Sequence, residues 1–64
     1  MKTFHMGAAM AVLDHAEKEF LYKKVENSQL GPIGATVIET YRRADGATMR
    51  MIKSNGGCTL EIDE

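Results

Sequence analysis

From Met6 to Glu26 the apolar positions recur at alternating steps of three and four. Met6, Ala9, Leu13, Ala16 and Phe20 line one face, the spacing of an amphipathic helix. Met10 and Val12 widen that stripe, and Asp14, Lys18, Glu19, Tyr22 and Glu26 fall on the other side. No proline interrupts the stretch, and its Ala, Met, Leu, Glu and Lys residues are good helix formers. Asp14 with Lys18, and Glu19 with Lys23, sit at favourable i, i+4 spacing. Lys23 and Lys24 near the expected end complement the helix dipole. The pattern predicts a helix over about 6–26. Its start is open: Thr3 can cap it, or Lys2–Met6 can form a short edge strand with Phe4 and Met6 pointing inward.

Asn27 through Pro32 reads as a connector, because Asn27 and Gly31 tolerate left-handed backbone and Pro32 forbids helix continuation. Beyond it the period changes from 3.6 to 2. Strands are expected over about 35–43, 47–53 and 58–63, rich in β-branched Thr36, Val37, Ile38, Thr40, Ile52, Thr59 and Ile62. Asn55-Gly56 and Asp45-Gly46 are strong hairpin signals, the first favouring a type I′ turn with positive φ at both residues. A two-residue Asn55-Gly56 loop pairs Lys53 with Cys58, Met51 with Leu60 and Met49 with Ile62. It also sets Arg50 beside Glu61 and Ile52 beside Thr59. A three-residue Ala44-Asp45-Gly46 loop pairs Tyr41 with Met49 and Val37 with Lys53. One face then collects Val37, Tyr41, Met49, Met51, Leu60 and Ile62, with Glu39 pointing the same way and obliged to reach the rim. The expected fold is α+β: one long N-terminal helix on a three-stranded antiparallel sheet, in a single domain spanning 1–64.

Size changes this picture. Below roughly 70–80 residues a lone core seldom supplies more than about 3–5 kcal/mol, and this chain has 64 residues with a single cysteine. Cys58 cannot form an internal disulfide, and His5, His15 and Cys58 have no metal-ligand spacing. No metal or cofactor is expected, which leaves a partner chain as the stabiliser, most simply a second copy.

A net charge of −1 counts against a generic nucleic-acid binder, whose affinity rests on surplus Lys and Arg. No run approaches the roughly 20 apolar residues of a membrane span. Met6–Leu13 lacks the basic start and longer apolar centre of a signal peptide. An unpaired cysteine fits a reducing compartment, so a cytoplasmic protein is expected.

Candidate chemistry is sparse. Cys58 is expected as a buried structural thiol at the start of the last strand, with no base to activate it. His5 and His15 are expected at the surface. Gly31-Pro32-Ile33-Gly34 and Asn55-Gly56-Gly57 precede strands rather than helices, so neither is a phosphate loop. Glu61, Asp63 and Glu64 read as a solvated acidic end. These readings count against catalysis by the isolated chain, and a non-enzyme is expected.

Two surfaces remain. The outer sheet face presents Ile38 opposite Ile52, with Arg42, Arg50 and threonines around them, the apolar centre and polar rim of an interface. On the helix, Gly7, Ala8 and Ala11 face away from the core stripe and admit a second subunit. The expected function is a non-catalytic protein-binding module, a homodimer occupying a surface of a larger partner. A phage or mobile-element inhibitor of a host system is one form of it. The alternative is a small nucleic-acid-binding regulator using Arg42, Arg43, Arg50 and Lys53, although Tyr41 faces the core and is not placed to stack on bases.

Overall fold

The computed structural model describes residues 1–31 and 35–63. The Pro32-Ile33-Gly34 part of the expected connector lies outside them. The elements in chain order are β1 (Lys2–His5), α1 (Met6–Glu19), β2 (Lys23–Leu30), β3 (Thr36–Arg42), β4 (Thr48–Ser54) and β5 (Gly57–Asp63). They form one five-stranded sheet in the order β1-β5-β4-β3-β2. Every neighbouring pair is antiparallel, so the two outermost strands run parallel and α1 is the crossover between them.

The three-stranded expectation is therefore corrected at both ends. Lys2–His5 is the edge strand that the pattern allowed, pairing Phe4 with Leu60. Thr3 accordingly caps nothing, and the helix N-cap is His5, which makes no side-chain cap. Met6 starts the helix at φ 56° and is exposed, not inward.

The larger correction is at the helix end. The helix stops at Glu19, and Leu21 takes a left-handed φ of 58°. The N–H groups of Phe20 and Tyr22 both donate to the Ala16 carbonyl, at 3.0 and 3.4 Å. The chain then enters β2 and pairs with β3 from Lys23 to Leu30, with a bulge between Lys24 and Glu26. Backbone pairing outweighs the helix propensity of Lys23-Lys24-Val25-Glu26, because β3 would otherwise present an open edge. Lys18 still meets Asp14 at 3.1 Å, whereas Lys23 leaves the helix and with it the expected spacing to Glu19.

The meander itself follows the turns. Tyr41 opposes Met49, Ile38 opposes Ile52, Met51 opposes Leu60 and Arg50 opposes Glu61. At the first hairpin Arg43 and Ala47 bracket a three-residue loop, with Gly46 at φ 92°. At the second, Ser54 pairs with Gly57. Positive φ falls on Gly57, at 135°, and on neither Asn55 nor Gly56, so this is not the type I′ turn expected. The Met6 thioether lies against the position a Cβ on Gly57 would take.

α1 lies against β5 and β1. Ala9, Leu13 and Ala16 meet Tyr41, Met49, Met51, Leu60 and Ile62 in one core, joined by Tyr22 from the helix–strand junction. Met49, Met51 and Leu60 are fully enclosed, each worth about 1.5–3 kcal/mol relative to exposure. Phe20, expected in the stripe, is about half exposed at the helix C-cap.

Glu39 does not reach the rim. It is buried at 7% exposure on the helix-covered face, and its carboxylate accepts from the Lys24 ammonium at 2.8 Å and the Tyr41 hydroxyl at 3.4 Å. Lys53 reaches Oε1, the oxygen that Tyr41 also donates to, at 3.1 Å. Burial alone would push the carboxyl up, but hydrogen bonds and charge from Lys24 and Lys53 outweigh it and hold it below its ordinary value. Tyr41 is pushed up, first by burial and then by the charge of Glu39.

A carboxyl with a lowered folded pKa stabilises above its unfolded pKa and loses that contribution as pH falls through the folded one. Glu39→Gln should therefore cost about 1–3 kcal/mol at neutral pH. The gap from the parent should shrink on acidification below about pH 4, as read by urea titrations across that range.

Candidate functional site

The crossover brings distant residues to one end of the sheet. Between the C-terminal half of α1, β1 and the β3–β4 turn lies a groove of about 680 Å³. Both phenylalanines and one of the two tyrosines line it: Phe4 from β1, Phe20 from the helix C-cap and Tyr22 from the junction. Val12, Ala16 and Ile62 complete the apolar walls, with His15 and Lys2 at the margin.

The β3–β4 turn supplies the polar wall. Arg43 grips Asp45 through two parallel hydrogen bonds, Nε to Oδ1 at 2.9 Å and Nη2 to Oδ2 at 2.6 Å. The Ala47 backbone N–H donates to the same carboxylate at 3.0 Å. The Arg43 guanidinium, and after it the Ala47 N–H, hold the Asp45 carboxyl down at about 2, so the pair stays ionised across the physiological range. The guanidinium carbon lies 5.3 Å from the Tyr22 ring centre and 6.0 Å from that of Phe20, within cation–π range. His15 meets Phe20 edge to face, with centroids 5.4 Å apart. One arginine thus ties the turn to the aromatic junction and sets the shape of the groove mouth.

Comparison with protein-family models, curated proteins and solved structures finds no match for this chain. Its chemistry is read from the geometry alone.

The sequence-derived surface residues are placed as follows. Ile38 and Ile52 oppose one another and are half-buried on the sheet face away from the helix. Their cross-sheet row continues to Ser28 on one side and to Thr59 and His5 on the other. Arg50 lies in the adjoining row and donates to Glu61 at 2.8 Å; Arg42 is exposed at the end, opposite Thr48. Gly7, Ala8 and Ala11 are exposed on α1, and a Cβ at Gly7 would meet nothing within 4 Å. Cys58 is half-buried rather than buried, its thiol donating to the Met6 carbonyl at 3.5 Å. His5 is exposed and lies 3.2 Å from the Thr59 hydroxyl. Among the described residues no group of three or more His, Cys, Asp or Glu side chains is arranged to hold a metal ion. No helix there is long and apolar enough to cross a membrane.

Sequence reasoning missed the groove because a continuous helix turns residues two apart to roughly opposite sides. Helical periodicity therefore puts Tyr22 on the solvent side and Phe20 in the core stripe. The pair of aromatics around Leu21, followed by Val25, was the available signal of a helix ending early.

Leu21 is 69% exposed in a left-handed conformation, which costs a residue with a Cβ about 1–2 kcal/mol. Leu21→Gly should raise unfolding stability by about 1 kcal/mol, measured by chemical denaturation.

Proposed function

We propose that this protein is a non-catalytic binding module that seats an apolar anchor side chain of a larger protein partner in the aromatic groove. The observation that carries this reading is the convergence of Phe4, Phe20 and Tyr22 beside the locked Arg43–Asp45 pair, around about 680 Å³ of open volume. Protein-binding energy concentrates in aromatic and arginine residues held in fixed positions, and preorganisation lowers the ordering cost of association. A half-exposed Phe20 lines the groove, and the strained, exposed Leu21 lies between it and Tyr22 in the chain. Strain retained at an exposed apolar residue is a feature of functional surfaces. Two of the groove's polar side chains are already engaged: His15 meets the Phe20 ring edge to face, and Asp45 is bound to Arg43.

A second reading rests on the bare sheet face, where Ile38 and Ile52 stand at the centre of a polar surface. The nucleic-acid alternative has less support. Arg42 and Arg50 lie on the bare face, whereas Lys53 reaches Glu39 on the helix-covered face and Arg43 is turned to the groove. Arg50, Lys53 and Arg43 each pair with a carboxylate, which cancels the local charge that phosphate binding would use.

Partner capture by the immobilised chain separates the two protein surfaces. Phe20→Asp should reduce the captured partner at least about tenfold, while Ile38→Asp should leave it within about twofold, both variants keeping the parent circular dichroism. The opposite order would transfer the function to the sheet face, and indifference to both would remove either surface from the binding reaction.

A further inference from the structure

We infer that β2 is the seat of a second copy of this chain, joined antiparallel across a two-fold axis at Ser28 to make one ten-stranded sheet. Among the described residues β2 is an outermost strand, hydrogen-bonded on one side only, to β3. Seven of its eight residues are exposed, including Val25 and Leu30 at 53% and 54%. The other edge, β1, has four residues, and a short strand is a poor template for pairing. β2 carries no proline, and its ladder to β3 is regular from Glu26 to Leu30, the bulge lying before it.

Symmetry then selects the register. A closed antiparallel pair of identical strands needs a two-fold axis normal to the sheet, so facing residues must share a face. An axis at Glu26 would set like charges together. An axis at Ser28, the midpoint of the regular stretch, uses all of it. Ser28 then faces its equivalent, and Asn27 faces Gln29 of the second copy twice, each pair matching amide donors to amide acceptors. Glu26 faces Leu30, whose exposed side chain lies along the Glu26 methylenes. No like charges oppose one another, and Lys23 and Lys24 fall beyond the paired stretch. Both helices lie on the same face of the joined sheet. The two aromatic grooves stay open, so this contact is independent of the groove reading. A chain of 64 residues without an internal disulfide thereby gains the additional support its size calls for.

The test is the mass of the full chain by sedimentation equilibrium, up to about 500 µM, a range that reports Kd values to about the millimolar level. The parent should show a dimer. Asn27→Lys combined with Gln29→Lys alters only exposed side chains and opposes lysines twice across the axis. It should raise Kd at least about tenfold with unchanged circular dichroism. Ser28→Cys should oxidise to a dimer linked through residue 28, as expected for cysteines facing one another across a strand pair. A monomer throughout the range would overturn the proposal. So would a dimer indifferent to the two lysines, which would place the contact elsewhere, for example on the helix at Gly7, Ala8 and Ala11.

Discussion

A five-stranded sheet has two faces, and a single helix of 14 residues, about 21 Å long, covers only part of one. Most of this molecule follows from that shortage of cover. α1 lies over β5 and β1, where Leu60 and Ile62 require it. The far strands, β3 and β2, receive less. Glu39 stands where the apolar core gives way to water, and the stems of Lys24 and Lys53 close over it. The three charges sit where an apolar residue would lack a roof and an unpaired carboxylate would lack solvent. The same shortage leaves the Ile38–Ile52 face bare and the β2 edge open.

The end of the helix shows the second use of charge. Arg43 is neither free nor merely paired: Asp45 fixes its plane, and that plane lies near Tyr22 and Phe20. The β3–β4 turn and the helix–strand junction meet at the end of the β2–β3 ladder, where Lys23 pairs with Arg42. Joining them through a guanidinium keeps the groove mouth shaped at any pH well above the lowered Asp45 pKa. A rigid aromatic recess on so small a scaffold favours recognition over chemistry. This is why the proposed role is that of a binding module.

The meander from β3 to β5 was legible in the sequence down to individual pairs, because turn residues set the loop lengths and strand alternation does the rest. Even Gly57, which carries the positive φ expected of its neighbours, leaves the Met51–Leu60 and Arg50–Glu61 pairs in place. β2 was not legible. An edge strand exposed on both faces buries almost nothing, so it carries no period of two, and Lys23-Lys24-Val25-Glu26 continues the helical composition before it. Its identity as a strand lies in the open hydrogen bonds of β3, which side-chain patterning does not record.

By itself, then, the sequence determined the three consecutive hairpin strands, their facing residues, the helical segment above them and the scarcity of reactive side chains. These depend on local turn geometry and on periods of 2 and 3.6. Only the tertiary structure decided where the helix stops, that Lys2–His5 and Lys23–Leu30 join the sheet, and that Phe4, Phe20, Tyr22 and Arg43 meet. The reason is physical: β1 meets β5 across nearly the whole chain, β2 is recruited by the open hydrogen bonds of β3, and the groove gathers side chains from three separate segments, none of which a local pattern records.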